Sequence, residues 1–264
     1  MSESFLASYC QIDDIEGSER VRLTIQAVKD AGHHVYKCIE RGMFASPRLE
    51  KHPVYTTIQK RFGETDFRFL ELGCCFGTDS RKLLKDGLQC HQLTVSDLHD
   101  FYWETGKSIL FKDRLDSVTS VFVDFSIPWQ HMDPLHVQEL EGKFDAISAS
   151  AILHVLSSDQ CTNFVSNAFR CLKPDCSSTL FGTCNGSPTP VPFGTIPIAG
   201  LPGRIEHSRF LHSPQSLEGL LLSVGFRNVC VSVSKSEGSL SEVMKEIMNE
   251  FQVEMVRLTF SAQR

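Results

Sequence analysis

Residues 67–84, FRFLELGCCFGTDSRKLL, constrain this chain more than any other stretch. Phe69, Leu70 and Leu72 form a short apolar run interrupted by one acid, Glu71. Gly73 and Gly77 bracket a turn, and Ser80 and Arg81 lead into Leu83 and Leu84. That order predicts a buried strand, a tight turn and a helix in direct succession. Glycine is wanted where a strand breaks into a helix, because it takes positive φ and lets backbone approach a ligand without a Cβ in the way. The N–H groups freed at the helix start then face that ligand. The pyrophosphate fingerprint G-x-G-x-x-G is missing, since the chain reads Gly-Cys-Cys-Phe-Gly from Gly73. E-x-G-x-x-x-G stands in its place. Glu71 would repel a diphosphate, whereas it suits a ligand bearing an amino group or a sulfonium charge.

Downstream, the pattern repeats as strand and helix. Leu93 to Asp97 reads as a second strand ending in an acid, about 20 residues beyond the glycine turn, where a βαβ unit sets a carboxylate beside a ribose. Capping of the next helix accounts for Asp97 as well. Residues 98–111 read as a helix and 118–123 as a third strand, closed by Asp124 and Phe125. That pair would bond the adenine amino group and cover its ring, or cap a turn and fill the core. Residues 144–154 read as a fourth strand running into a loop that carries His154. A histidine at the carboxyl end of an open sheet is placed to orient or deprotonate an acceptor, although a lone histidine is more often a satisfied core or surface residue.

The remaining elements complete an alternating series. Residues 161–172 read as a helix stopped by Pro174, and 178–182 as a fifth strand. Residues 185–203, with five prolines and four glycines, read as an ordered loop that would flap over an apolar substrate. Arg209 follows, the bidentate choice for a carboxylate, with a surface ion pair as its plainer role. Residues 216–224 predict a helix, 228–234 a strand, 240–250 a helix and 255–261 a last strand, the two strands pairing as an antiparallel edge. The fold class is therefore α/β, a doubly wound, mostly parallel seven-stranded sheet. Residues 1–66 form an arm and lid helices and 67–264 the main domain. Within the first part, residues 1–16 read as a loose arm and 18–32 as an amphipathic helix. Met43, Phe44 and Tyr55 are wall residues for an apolar substrate, with packing against the sheet as the alternative.

Composition excludes several classes. A net charge of −6 argues against a nucleic-acid partner, which favours a basic face. Ten cysteines are scattered without C-x-x-C spacing, which points to free thiols in a reducing compartment and to no metal site. No stretch has the length of a membrane span, and residues 1–14 lack the basic and apolar regions of a secretory signal, so the expectation is cytoplasmic.

The turn resembles the first motif of class I S-adenosylmethionine-dependent methyltransferases, usually E/D-x-G-x-G-x-G, with Cys75 where the middle glycine commonly stands. More narrowly, CIERGMFASPRLEKHPVY, FLELGCCFGTDSRKLLKDG, Asp97-Leu98 and FDAISASAILHVL resemble fungal secondary-metabolite methyltransferases that O-methylate carboxylic acids on meroterpenoid, terpenoid or polyketide scaffolds. The stretch from Arg209, Arg-Phe-Leu-His-Ser, departs from the Arg-His-Asn/Asp-x-x-Ser form expected of that group. The resemblance implies S-adenosylmethionine as cofactor, held by Glu71, Gly73, Cys75, Gly77, Asp97, Leu98, Asp124, Phe125, Ala149 and Ser150. It implies helices lying over the cofactor as a lid, His154 as the catalytic side chain and a small-molecule acceptor, and it leaves room for a homodimer. An ionised carboxylate needs no base, whereas a phenol would make His154 the first candidate for one. A nucleotide-dependent oxidoreductase and a catalytically silent binding domain are the competing readings.

Overall fold

The computed structural model describes residues 4–33, 35–196, 207–234 and 254–264. Strand β1 (Phe69–Leu72) is buried along its whole length, as expected of a parallel strand covered on both faces. It pairs in parallel with β2 (Leu93–Ser96) on one side and β4 (Ala146–Ala149) on the other. Outside these lie β3 (Thr119–Ser120) and β5 (Thr179–Gly186), also parallel. Strand β9 (Val256–Gln263) inserts antiparallel between β5 and β8 (Arg227–Ser234), which gives the order β3-β2-β1-β4-β5-β9-β8. This is the doubly wound, mostly parallel seven-stranded sheet that the sequence predicts, with its antiparallel edge.

Helices cover both faces. On one, α4 (Tyr55–Gln59), α5 (Thr78–Lys85) and α6 (Asp100–Thr105) contribute Tyr55, Ile58, Leu83 and Trp103 to a core with Phe69, Val95 and Phe181. On the other, α7 (Pro134–Leu140), α8 (Ser158–Cys171) and α9 (Pro214–Val224) bury Leu140, Phe164, Leu217 and Leu221 against Leu70, Ile147 and Phe260. The N-terminal helices α1 (Phe5–Cys10), α2 (Asp14–Asp30) and α3 (Lys37–Glu40) form a third cluster. Leu6, Val28 and Ile39 pack there with Phe76, Tyr102 and Phe111, beside the glycine turn.

Four expectations change. The loose arm contains α1, capped by Ser4, because Leu6 and Ala7 find a buried place in the third cluster. The third strand is assigned only two residues. Even so, Val121 N–H donates to Val95 O at 2.9 Å and Val123 N–H to Asp97 O at 3.0 Å, so the chain keeps following β2 to its tip. Within the proline-rich stretch, β6 (Val191–Ile196) pairs with β7 (His207–Leu211) in a separate two-stranded sheet, where Pro192 is tolerated at an edge. Helix α7 goes unread in the sequence, although Asp133 caps it and Pro134 opens it. The rest of the expected flap, residues 197–203, and the expected helix 240–250 lie outside the described residues. All ten cysteines are free thiols. Among the described residues no helix is long and apolar enough to cross a membrane.

Candidate active site

Strand β1 ends in the turn because Gly73 and Cys74 hand their N–H groups to Ser96 O of β2, at 2.7 and 3.1 Å. Gly73 and Gly77 both take positive φ, 69° and 73°. Their missing side chains make room for protein as well as backbone. A Cβ on Gly73 would lie 2.3 Å from Ile152 Cδ1, and one on Gly77 2.4 Å from the Trp103 ring. Cys75, where the family motif carries its middle glycine, also adopts a left-handed conformation, φ 49°. An L-residue held there is strained by about 1–2 kcal/mol.

Two charged residues on α5 hold this turn from behind. Arg81 is fully buried; it donates from Nη1 to Phe76 O (3.1 Å) and Gly77 O (2.9 Å), and grips Asp113 through Nε (2.8 Å) and Nη2 (2.7 Å). Asp79 accepts the N–H groups of Arg48 and Leu49 at 2.6 and 3.1 Å, which ties the segment after α3 to the start of α5. Glu71 is 5% exposed and accepts from the Ser80 hydroxyl. Burial and the neighbouring Asp79 push its carboxyl well above the usual carboxylate range.

Asp97 stands at the tip of β2, only partly buried. Its Oδ2 accepts from Cys75 N–H at 2.8 Å and its Oδ1 from Leu98 N–H at 2.7 Å. Each oxygen keeps further acceptor capacity, so a diol can still be bound. Burial raises the Asp97 carboxyl, while the N–H groups of Cys75, Leu98 and His99 pull it back. Leu98 beside it is 41% exposed. Asp124, in the segment after β3, accepts at Oδ1 from Ser126 N–H (2.8 Å) and from its hydroxyl (2.6 Å). Tyr36 and Tyr102 come close enough to Asp97 and Cys75 that, after burial, these neighbours raise both phenols; Tyr36 is pushed up to about 12.

His154 lies beyond β4, in a short turn after Ala149 and Ser150. Ala149 is 1% exposed and Ser150 half-buried. Asn185 N–H, in β5, points at His154 Nδ1 from 3.4 Å, which leaves the ring hydrogen on Nε2. Burial, reinforced by the charges of Arg257, Arg48 and Arg209, pushes the imidazole down to about 3. The ring is therefore neutral and presents a donor.

The structure thus gathers Glu71, Gly73, Cys75, Gly77, Asp97, Leu98 and Asp124 at the tips of β1 to β3, with Ser150, His154 and Arg209 across the sheet edge. Three expected ligand-facing rings face the core instead. Phe44 packs on Phe76, centroids 4.5 Å apart, and is 7% exposed; Phe125 packs near Phe164 at 5.9 Å and is 5% exposed. Tyr55 is 3% exposed, and its hydroxyl donates to Asp86 at the far end of α5. Burying such a ring is worth about 1.5–3 kcal/mol, enough to draw it inward. Met43, 37% exposed, stays accessible. Sequence reasoning gave no role to Tyr36, Arg48, Asp79, Tyr102 or Arg257. Arg257 alone left a signal, the one charge within the mostly apolar stretch MVRLTF.

Comparison with known proteins bears on the domain and the fold. A family model described as a methyltransferase domain matches residues 69–175. The O-methyltransferase atr3 of Stereocaulon alpinum is 28% identical over 204 residues, covering 74% of this chain and 57% of that relative. The asnovolin E/chermesin D methyltransferase nvfJ of Aspergillus novofumigatus is 29% identical over 183 residues, 69% of this chain and 63% of the relative. The chain therefore spans less than two thirds of the length of these curated relatives. Among solved structures, phosphoethanolamine N-methyltransferase 2 of Haemonchus contortus superposes with a TM-score of 0.52 at 15% identity, over 79% of this chain and 52% of the other. Residues 69–175 thus carry a methyltransferase domain, with a strand order and an acid-tipped turn similar to those of the class I S-adenosylmethionine-dependent methyltransferases.

Proposed function

We propose that the protein is an O-methyltransferase that esterifies the carboxylate of a small apolar acceptor in fungal secondary metabolism. The observation that carries this reading is the state of His154. Its Nδ1 is engaged by Asn185, and its ring is held neutral to about pH 3, so it is a poor base and a good donor. A carboxylate is ionised at neutral pH and asks for no base, only for orientation. A phenol or alcohol would need the proton acceptor that His154 does not supply.

The bound cofactor supplies a methyl group already activated by its sulfonium. The chain's own part is to hold two reactants in line and exclude water, which accounts for most of the rate in such transfers. Asp97 would take the ribose hydroxyls on its remaining lone pairs. Leu98 and Asp124 would meet the adenine, and Glu71, Gly73, Cys75 and Gly77 would surround the amino-acid end. Ala149 and Ser150 would flank the reacting centre, where His154 Nε2–H donates to the acceptor oxygen. Met43 would lie along the acceptor, with Arg209 near its charge, and α1 to α3 would close over both.

One relative named as an O-methyltransferase and another named as an asnovolin E/chermesin D methyltransferase support a secondary-metabolite acceptor, and we favour an acidic terpenoid or meroterpenoid. The test is incubation with labelled S-adenosylmethionine and a panel of apolar acids paired with phenols of the same skeleton. Methyl esters are expected; products confined to phenyl ethers would reject the reading.

A further inference from the structure

We propose that Arg48 and Arg257 form an anion clamp beside His154 that takes the acceptor's carboxylate and selects acids over alcohols and phenols. This rests on the methyltransferase reading for the identity of the bound anion, and on the following geometry for the clamp itself.

Two anchors carry the backbone around Arg48 across the sheet edge. Its own N–H and that of Leu49 are fixed by Asp79 at the start of α5. Four residues on, His52 Nε2 lies 3.1 Å from Phe260 O in β9, its ring 5.0 Å from Phe181 of β5. Arg48 is thereby held between the glycine turn and the ends of β5 and β9. Arg257 comes to the same place from the opposite end of the chain. In β9 it stands opposite Asn185, whose N–H engages His154. Leu258 and Phe260 enter the core beneath α8 and α9. Alternation sends Arg257 to the other face of the sheet, where α4, α5 and the Arg48 segment lie.

Both residues are half-buried, and among the described residues neither has a carboxylate within ion-pair distance. They are near enough that the charge of Arg48, added to burial, disfavours that of Arg257, and both disfavour a proton on His154. Two like charges brought together away from water are unfavourable until an anion joins them. A planar carboxylate fits a guanidinium fork, and neutral His154 adds a donor without a third charge. Arg209 adds a further positive charge nearby.

The chemistry follows from this placement. A lone pair of the carboxylate oxygen forms the new O–C bond, the C–S pair returns to sulfur, and anion and sulfonium are both neutralised. No proton is released. The ester no longer carries the charge that the arginines held, so the clamp lets go of the product. An alcohol or phenol of the same shape leaves both arginines unneutralised, which is the basis of selection.

The test compares wild type, Arg48→Gln and Arg257→Gln by thermal unfolding in sodium benzoate and in sodium chloride at equal ionic strength. Benzoate at roughly tenfold its dissociation constant should raise the wild-type Tm by about 2–4 °C over chloride. Both glutamine variants should lose that increment, with a Tm in chloride no lower than wild type, while Arg257→Lys keeps part of it. An equal benzoate shift in all four proteins, or none in wild type, overturns the clamp. Titration with S-adenosylhomocysteine separates the two readings. Loss of its binding to wild type would sink the methyltransferase reading and leave the benzoate result standing, whereas tight binding with no benzoate shift would sink the clamp alone.

Discussion

Arg81 and Arg257 are the same residue type in opposite circumstances. Arg81 is fully buried, makes four hydrogen bonds to Phe76, Gly77 and Asp113, and has its guanidinium 3.9 Å from the Phe111 ring centre. Arg257 is half-buried beside Arg48, with no carboxylate partner among the described residues. The first is a closed account of donors and acceptors and shapes the scaffold. The second is an open one, and an open buried charge at a sheet edge points to a ligand. Chemistry in this fold is therefore found where polar groups lack partners, and stability where they have them.

The contrast can be broken most forcefully at Arg81. Arg81→Ala leaves Asp113 half-buried and two turn carbonyls unsatisfied, so urea unfolding should report a loss of about 3–5 kcal/mol. A loss under 1 kcal/mol would dissolve the distinction. At Arg257 the expected effects are reversed. Arg257→Gln should leave unfolding unchanged or slightly improved, and lower kcat/KM on an acid acceptor by about 10- to 100-fold, the worth of one charged hydrogen bond.

His154 sharpens the picture through pH. Its folded-state pKa, about 3, lies below the ordinary 6.5, so the stability tied to its neutral ring is present above pH 6.5 and is lost as pH falls toward 3. His212, buried and pushed down to about 4, acts in the same direction. Turnover on an acid should accordingly be flat between pH 6 and 8, with no limb near 6.5. His154→Ala should lower kcat roughly 10-fold at unchanged S-adenosylhomocysteine affinity, as expected for loss of one donor. The smallest effect belongs to Cys75. Cys75→Gly should relieve the left-handed strain and raise stability by about 1 kcal/mol, less the entropy of the added glycine.

What the sequence disclosed follows the range of the forces involved. Strand β1, the turn and α5 are contiguous, so their apolar run and glycines announce them, and Asp97 follows at a distance that the βαβ unit sets. Arg81 finds Asp113 32 residues away, and the charge of Arg48 reaches Arg257 across most of the chain. No local pattern records such meetings. Phe44, Tyr55 and Phe125 show another limit, since an aromatic residue near a site reads alike whether it lines a cavity or backs one. Helix α1 was hidden because six residues are too few for a helical period to declare itself, and β6 because its proline suggests a loop.

The central claim is that the bend between β1 and α5, with Asp97 beside it, holds S-adenosylmethionine. Calorimetric titration of wild type and Asp97→Ala with S-adenosylhomocysteine tests it directly. One saturable site in wild type, weakened about 10- to 100-fold in the variant by loss of charged hydrogen bonds to the ribose, is the predicted result. Equal affinity in the two proteins, or no binding to either, would contradict it.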